Sequence, residues 1–381
     1  MNKFLLGTTA LISAAAFTAP ALAAEKIQLE LRGYHVGGIS FTDVDYRYEY
    51  DDGPTVISRF DDDYNEINFG SDSEVHFRGA TTLDNGLEIS FRAELELEND
   101  SDVDGDADQI DEVYIQAQGG FGRLQFGQND GAMYQQHIAA PNAFVGHGVN
   151  QPDIVMDPFT PFSAPMSAGV NTYGHISGDN TKLTYITPDL SGFQFGASFT
   201  PNACANDTGY AGCLFDEFGQ NFIELSGTFQ TEANGVTFGL SGGYGQGQAP
   251  SGLSDPFEWS VGGELGFYGF TLGGSYREVE LSSTWEENHW DAGVSFETGP
   301  WNASVTYGTM ELAGISAGVP ILTARDVETW VGGVTYMYGP GMQLGLGIQS
   351  MESIGGEITV DYFTEHEIEG LSVFLENVIS F

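Results

Sequence analysis

Apolar and polar residues alternate along most of this chain with a period of two, and this pattern constrains the fold more than any other feature. In the stretch LEISFRAELELE at 87–98, every odd position is apolar and every even position is polar. Successive side chains of a β-strand point to opposite faces, so each such segment predicts a strand with one apolar face. Sixteen segments follow this pattern, beginning near residues 27, 64, 86, 109, 122, 181, 192, 220, 235, 257, 269, 288, 301, 325, 341 and 368.

The connections between the segments alternate between tight turns and longer, often acidic loops. The tight ones read LDNG, GGFG, PDLSG, TEANG, FYGF, ETGPW and YGPG. Aromatic residues lie beside them, namely Phe193, Phe267, Phe270, Trp301 and Tyr338. Short turns on one side, long loops on the other and a belt of aromatic residues are typical of an outer-membrane β-barrel.

A secreted β-sandwich or β-helix would also alternate, so the period alone does not decide the fold. The amount of charge on the polar face and the small and aromatic residues on the other favour the barrel. No stretch beyond the N-terminal region approaches the roughly 20 apolar residues of a membrane helix. We predict an all-β chain that forms a closed transmembrane antiparallel β-barrel of about 16 strands.

The two ends of the chain carry separate signals. Residues 1–23 combine Lys3, an apolar stretch and an A-x-A site, which predicts a signal peptide, so that 24–381 form a single barrel. The last segment, LSVFLENVISF, is apolar up to Phe381 and is expected to pair with the first strand, because an open edge in lipid would leave backbone groups unpaired. Asn377 and Phe374 interrupt its alternation.

The composition excludes several classes of protein. A formal net charge of −43 leaves no basic patch for nucleic-acid phosphates, and 41% hydrophobic with 13% aromatic residues is too rich for a disordered acidic chain. Cys204 and Cys213 follow an export signal and are expected to form a local disulfide, with two free thiols as the alternative. The sequence GISAG at 314–318 matches G-x-S-x-G but lies in a hairpin loop, so we predict no enzyme.

Four stretches resemble the Gram-negative general porins, especially those of alphaproteobacteria. They are SEVHFRGATTLDNGLEISFRAELE at 73–96, DEVYIQAQGGFGRLQFGQND at 111–130, TKLTYITPDLSGFQFGASF at 181–199 and the ending at Phe381. The resemblance implies a homotrimer of sixteen-stranded barrels in the outer membrane that passes small hydrophilic solutes by diffusion. It also implies that the barrel-assembly machinery recognises Phe381, and that outer-membrane lipid and lipopolysaccharide surround the barrel.

The longest connection, 129–180, has no strand pattern and contains five prolines. A structureless connection of that length is usually functional. By resemblance it is the third loop, which folds into the lumen of a porin and constricts it. Its acidic candidates for the constriction are Asp130, Asp153 and Asp157. The alternative for each of these aspartates is that it is merely part of the loop surface.

Four arginines fall on the polar register of the first, second, third and fifth segments: Arg32, Arg78, Arg92 and Arg123. A lipid-facing arginine at the membrane midplane costs roughly 2 to 4 kcal/mol, so the lumen is their expected location. By resemblance they face the loop acids across the constriction; alternatively they pair with Glu30, Glu74 or Glu94. Nearly all other inward charges are acidic, which predicts cation preference; they include Glu224, Glu258, Glu264, Asp291 and Glu297.

The acidic connection NDSDVDGDADQIDE matches the ligand spacing of a calcium loop without flanking helices. Its candidate ligands are Asp100, Asp102, Asp104, Asp106 and Asp111. The alternative is a solvated acidic hairpin tip, and no cofactor is required. Three hypotheses therefore remain: a general diffusion channel, a substrate-selective outer-membrane channel, and a secreted calcium-binding β-rich adhesin. A sugar-selective channel would show an aromatic track along its wall.

Overall fold

The computed structural model describes residues 26–51, 57–60, 66–97, 110–150, 159, 169–202, 219–249, 254–282, 285–315, 322–358 and 363–381. Within them, no helix is long and apolar enough to cross a membrane. The elements are β1 (Gln28–Asp51), β2 (Ile57–Phe60), β3 (Ile67–Thr82), β4 (Glu88–Glu96), β5 (Ile110–Gly119), β6 (Gly122–Gln128), α1 (Ala132–Gln135), β7 (Thr181–Ile186), β8 (Phe193–Asn202), β9 (Gln220–Ala233), β10 (Val236–Gln248), β11 (Phe257–Phe267), β12 (Phe270–Ser282), β13 (Trp285–Thr298), β14 (Trp301–Ile315), β15 (Leu322–Gly339), β16 (Met342–Ile358) and β17 (Phe363–Ser380).

The strands form one closed antiparallel barrel with sixteen strand positions. Each of β3 to β17 pairs with the next along the chain, and β1 pairs with both β3 and β17. The sequence pattern missed β2, a four-residue strand. It pairs with 48–51 of β1, beyond the part of β1 that pairs with β3, so it extends an existing position instead of adding a seventeenth.

The two faces of the wall are inverted relative to a soluble protein. On β17, Leu371, Val373 and Leu375 are 45%, 44% and 41% exposed, whereas the intervening Ser372 and Glu376 are fully buried. The same alternation recurs on the other strands, with exposed apolar side chains and buried polar ones. The apolar face is therefore the outer one, as a barrel in lipid requires.

All seven tight turns lie where the sequence predicts them, at the same end of the barrel. Their conformation explains the glycines, because hairpin turns of this kind need residues with positive φ. In TEANG, Asn234 and Gly235 have φ of 54° and 76°, and in FYGF, Tyr268 and Gly269 have φ of 51° and 86°. A left-handed backbone at an aromatic residue is unusual, and Tyr268 is 90% exposed.

Aromatic side chains form two belts on the outer face. Near the tight turns, ring centroids of Phe193 and Phe229 are 4.4 Å apart, and those of Trp301 and Tyr336 are 4.5 Å apart. Further along the strands toward the long loops are two more pairs, Trp259 with Tyr276 at 5.0 Å and Trp290 with Tyr307 at 5.1 Å. Two aromatic belts on either side of an apolar band mark the two interfaces of a bilayer.

The C-terminal segment closes the barrel against the first strand, as expected. The register runs from Tyr34 opposite Ser380 to Asp51 opposite Phe363, and Gly33 and Phe381 exchange two backbone hydrogen bonds of 3.0 Å. Asn377, which interrupts the apolar face, donates to the Tyr338 hydroxyl at 2.9 Å and to the Gln343 carbonyl at 3.3 Å. Its amide therefore joins the seam to the aromatic belt.

Apolar clusters lie on the inner face as well, where the connection 129–180 contacts the wall. Phe159 is fully buried, and it packs with inward side chains that belong to four consecutive strands, Met310, Leu312, Val327, Met351 and Ile368. A second cluster joins Phe144 and Val149 of the connection to Val331 and Phe374 of the wall. The second residue that interrupts the alternation of β17, Phe374, therefore serves as a packing partner for the connection.

Candidate functional site

The connection after β6 is bound to the polar face of the wall over both of its described parts, 129–150 and 169–180. We call these parts the inner segment. Short antiparallel pairing is absent from it in the described residues; instead Asn150 and Val170 form one isolated parallel bridge. Its backbone N–H groups are taken up by side chains of the strands, and four buried carboxylates of the wall dominate these contacts.

Glu376 of β17 is the first of these carboxylates and is fully buried. It accepts hydrogen bonds of 3.1 Å from the backbone N–H of both Val145 and Gly146, and its Oε2 lies 3.0 Å from His147 Nδ1. The His147 ring stacks on Phe374 with a centroid distance of 3.6 Å. One carboxylate thus anchors three consecutive residues of the inner segment.

Asp291 of β13 is the second. It accepts from the backbone N–H of Ala140 at 3.0 Å, from the Thr172 hydroxyl at 3.1 Å and from the Ser275 hydroxyl at 2.9 Å, and Asn150 also donates to it. Because Ala140 and Thr172 lie on opposite sides of the Asn150–Val170 bridge, Asp291 ties the two parts of the inner segment to one point of the wall.

Glu224 of β9 and Glu258 of β11 are the third and fourth. Glu224 accepts from the backbone N–H of Met133 at 3.3 Å and from the Ser177 hydroxyl. Glu258 accepts from the backbone N–H of Ile176 at 2.8 Å and forms a buried ion pair with Arg277. These two carboxylates hold the beginning and the end of the inner segment, as Asp291 and Glu376 hold its middle.

Three of the five acidic inward residues that the sequence pointed to therefore have a different role from the one that it suggested, whereas Glu264 is half-buried and Glu297 is exposed. Glu224, Glu258 and Asp291 are 1%, 0% and 3% exposed and have hydrogen-bond donors around them. Charges that are buried and paired in this way hold the inner segment and do not line open water. The sequence pattern placed them on the correct face, but it carried no signal for what covers them.

The four predicted arginines all lie on the inner register, and three of them have carboxylate partners on the wall. Arg32 contacts Glu30 at 2.9 Å, Arg78 contacts Glu88 at 2.6 Å, and Arg92 contacts Glu94.

Arg123 differs from them, since its Nη2 donates at 2.6 Å to Gln135 of α1. Only this arginine of the four is bonded to the inner segment in the part of the chain that the structure describes. The pairing of Arg32, Arg78 and Arg92 with glutamates agrees with the alternative that the sequence left open.

Three further basic residues on the inner face escaped the sequence analysis. Arg277 is bound to Glu258 and to the carbonyl of Asn171, Lys182 donates to the carbonyls of Asn129 and Gly178, and Arg325 donates to Ser353 at 3.3 Å. All three are buried. The polar register of the strands was the sequence signal that could have placed these three residues on the inner face. The burial of Arg277 and Lys182 depends on the inner segment that covers them.

Asp130 is the described acidic candidate of the inner segment, and it lies in a cluster of carboxylates. The side-chain oxygens of Glu112, Asp130 and Asp179 are all within 4.8 Å of one another, a spacing that suits a hard divalent cation. A similar group joins Glu74, His76 and Glu94. Burial raises the pKa of Asp130 to about 9, and the nearby Asp179 and Glu112 add to the rise. Asp130 is therefore protonated at neutral pH.

Four rings lie together on the inner segment. The centroid distances are 5.0 Å from Tyr134 to Tyr173, 4.6 Å from His137 to Tyr173 and 6.0 Å from Tyr134 to His175. Burial, with Arg277 nearby, lowers the pKa of His137 to about 4, and burial also lowers the pKa of His175. Burial therefore favours the neutral form of both histidines.

Several predicted residues lie outside the described residues. They are the signal peptide at 1–23, Asp153 and Asp157 of the connection, the cysteines Cys204 and Cys213, and the calcium candidates Asp100, Asp102, Asp104 and Asp106. Asp111, the last of the calcium candidates, lies in β5 next to Glu112. These predictions stay untested.

The comparisons with known proteins agree with this architecture. The sequence profile of a family described as Gram-negative porin matches residues 8–355. No curated protein sequence matches the chain.

Among solved structures, a porin refined at 1.8 Å resolution has 15% identity and a TM-score of 0.54, covering 93% of this chain and 100% of its own. The trimer form of OmpT, an outer-membrane protein of Vibrio cholerae, has 12% identity and a TM-score of 0.55 (92% and 100% coverage). An anion-selective porin from Comamonas acidovorans has 13% identity and a TM-score of 0.50 (93% and 100% coverage). At these identities the likeness concerns the fold.

Proposed function

Because this chain belongs to the Gram-negative porin family and is an outer-membrane β-barrel, we propose that it lets small hydrophilic solutes and ions diffuse passively through a water-filled channel. The observation that carries the proposal is the inner segment. It is hydrogen-bonded to inward side chains of β9, β11, β13, β14 and β17, and this attachment supports a polar passage that the segment would narrow from one side. The function requires no cofactor and no catalytic residue, and we propose no enzymatic activity.

We further propose that the channel prefers cations. The formal net charge is −43, and the inward arginines Arg32, which is exposed, and Arg78, which is half-buried, are matched by the carboxylates of Glu30 and Glu88. A wall with one excess sign concentrates counter-ions and repels co-ions. The preference must come from this chain's own charges, because a barrel of the same fold from Comamonas acidovorans is anion-selective.

Planar-bilayer recording of the detergent-purified protein tests both proposals. We expect conductance steps in groups of three and, in a salt gradient, a reversal potential of the sign that cations give. An absence of conductance would contradict the channel. An anion-type reversal potential would contradict the cation preference and leave the channel intact. Solubility without detergent would instead favour the adhesin hypothesis.

The assembly is part of the proposal. We propose a homotrimer, in line with the trimer form of OmpT, surrounded by outer-membrane lipid and lipopolysaccharide and inserted by the barrel-assembly machinery through Phe381. Calcium at the acidic loops stays a proposal of lower rank, resting on the spacing of Asp100, Asp102, Asp104, Asp106 and Asp111. Thermal stability that a chelator leaves unchanged would count against a structural calcium ion.

The ring cluster on the inner segment favours a substrate-selective channel as the second candidate. Tyr134, His137, Tyr173 and His175 offer stacking surfaces, although they do not form a track along the strands. Unequal permeation rates for a sugar and a polyol of the same size, measured in loaded liposomes, would favour this candidate. Rates that depend on solute size alone would favour general diffusion.

A further inference from the structure

A cavity of about 520 Å³ lies at the tight-turn end of the barrel, between the β5–β6 turn, the β7–β8 turn and helix α1. Its volume is within the range of small-molecule sites. Its wall includes four glutamines and one arginine, together with Asp189 of the β7–β8 turn; the five are Gln118, Gln135, Gln136, Gln194 and Arg123. We call it the glutamine pocket.

Two glutamines of the pocket, Gln118 and Gln135, belong to a directional chain of hydrogen bonds that also includes Gln116 and Gln125 and that uses the side-chain oxygen of all four. Arg123 donates to Gln135 Oε1 at 2.6 Å, and Gln135 donates to Gln125 Oε1 at 2.9 Å. Gln125 donates to Gln116 Oε1 at 3.2 Å, and Gln116 donates to Gln118 Oε1 at 3.1 Å. Every carboxamide has one acceptor oxygen and two N–H donors. Gln135 uses both of its donors, because it also donates to the Asp130 carbonyl at 2.6 Å, so the spare donors that this chain leaves beside the pocket belong to Arg123 and Gln118.

Two of the donors in the wall have no partner among the residues that the structure describes. Gln136 is 7% exposed, and its Oε1 accepts from the Ser226 hydroxyl at 2.6 Å, while its Nε2 has no hydrogen bond. The buried Nε of Arg123 has none either. A buried polar group without a partner costs about 1–3 kcal/mol, so a ligand that supplies acceptor oxygens here gains that free energy.

The charges of the pocket also favour a ligand with acceptor oxygens. Among the described residues, Arg123 has no carboxylate within ion-pair distance, unlike Arg78 and Arg92 on the same wall. The carboxylate of Asp189 at the rim accepts a hydrogen bond of 3.1 Å from the backbone N–H of Gly192, so its role is within the β7–β8 turn. A guanidinium without a counter-ion, beside spare amide donors, matches the geometry of a carboxylate.

We propose that the glutamine pocket binds small carboxylates, with Arg123 as the charged contact and the Gln136 amide as a second donor. The pocket lies in the mouth at the tight-turn end, so a bound carboxylate would sit where solutes pass between the channel and the space beyond. This site goes beyond diffusion, because it would retain one chemical class of solute in a channel whose net charge repels that class.

Isothermal titration of the folded, detergent-purified protein with succinate tests the proposal, with the neutral diamide succinamide as the matched probe. We expect saturable binding of succinate and at least tenfold weaker binding of succinamide. Arg123→Gln should weaken succinate binding at least tenfold. Gln136→Glu keeps the oxygen that faces Ser226 but replaces the spare amide by a carboxylate, so it should also weaken binding at least tenfold.

Arg47→Gln is the control, since Arg47 pairs with Glu367 on the outer face and its loss changes the net charge equally. It should change the affinity less than twofold. Three outcomes would overturn the proposal. The first is succinate binding that does not saturate, and the second is wild-type affinity for succinate in both Arg123→Gln and Gln136→Glu. The third is binding of succinamide as tight as that of succinate. Conductance in bilayers, recorded on the same samples, keeps this outcome separate from failure of the channel itself.

Discussion

Single buried residues in this barrel have properties that their residue type alone does not suggest. Asp130 is an aspartate that is protonated at neutral pH, because it is buried next to Asp179 and Glu112. Glu376 remains an acceptor of three hydrogen bonds although it is fully buried. The difference lies in the neighbours: carboxylates surround the first and N–H donors surround the second. Counting acids along the sequence therefore gives the sign of the excess charge but not the number of ionised carboxylates in the channel.

Asp130 predicts a pH dependence of ion selectivity. The pKa of Asp130 is about 9 in the folded chain, and its ordinary value is 3.8. Between these two pH values the folded state therefore holds a proton that the unfolded state has released. Asp130 therefore lowers the free energy of unfolding as the pH rises from about 4 to 9. Above that range its carboxylate is ionised, and the channel gains a negative charge. We expect the cation preference of the wild type to rise between pH 7.5 and 10 more than that of Asp130→Asn.

The control for this prediction is Asp84→Asn, at an exposed position in the first tight turn. This variant should follow the wild type, because it removes one exposed carboxylate but leaves the cluster of Glu112, Asp130 and Asp179 intact. A rise in cation preference that the wild type and both variants share would come from the titration of other groups. An Asp130→Asn channel whose selectivity rises as steeply as that of the wild type would contradict the prediction.

At the scale of elements, the inner segment depends on the strands and not on its own secondary structure. Its one helix, α1 (Ala132–Gln135), has four residues, and no side chain caps it. Its own hydrogen bonds are local turns and a few side-chain contacts, and the wall fixes its position through Glu224, Glu258, Asp291 and Glu376. The sequence predicted that 129–180 is special because it lacks strand periodicity. It could not predict the anchors, because each anchor is distant in sequence from the residues that it holds.

Glu376→Gln tests this anchoring. Gln keeps one acceptor oxygen but presents an amide to three donors, so the variant should lose about 1–3 kcal/mol of attachment free energy between the segment and β17. We expect larger current fluctuations and a higher mean conductance in single-channel recordings. Glu369→Gln, at an exposed position on the same strand, is the matched control and should behave as the wild type does. Equal noise in the two variants would show that Glu376 is no anchor.

At the scale of the whole molecule, closure of the barrel makes the first and last residues of the wall into neighbours. The pairing of β1 with β17 continues down to the two backbone hydrogen bonds between Gly33 and Phe381. A closed sheet has no edge, and it is this property that lets β-strands cross a membrane. The final residue thus has a structural role in the seam beside its proposed role as an assembly signal.

Two variants of the C-terminus separate these roles. Deletion of Phe381 removes the backbone bonds and the ring, whereas Phe381→Ala removes the ring alone. If the assembly machinery recognises the ring, both should lower the amount of folded barrel in the outer membrane several-fold, and the conductance of barrels that form should stay unchanged. Refolding into detergent without the machinery should be impaired by the deletion and not by Phe381→Ala. Normal membrane levels of Phe381→Ala would contradict the signal.

The sequence by itself determined the barrel, because the period of two, the glycine turns and the terminal aromatic are local consequences of a strand that has lipid on one side. It also placed Arg32, Arg78, Arg92 and Arg123 on the inner face. What only the tertiary structure decided is which inward charges meet water. The inner segment covers the carboxylates of Glu224, Glu258 and Asp291, through contacts between residues 82 to 151 positions apart. It also places Gln135 of α1 against Arg123. Periodicity specifies the face of a strand, whereas pairing across the lumen depends on closure of the whole barrel.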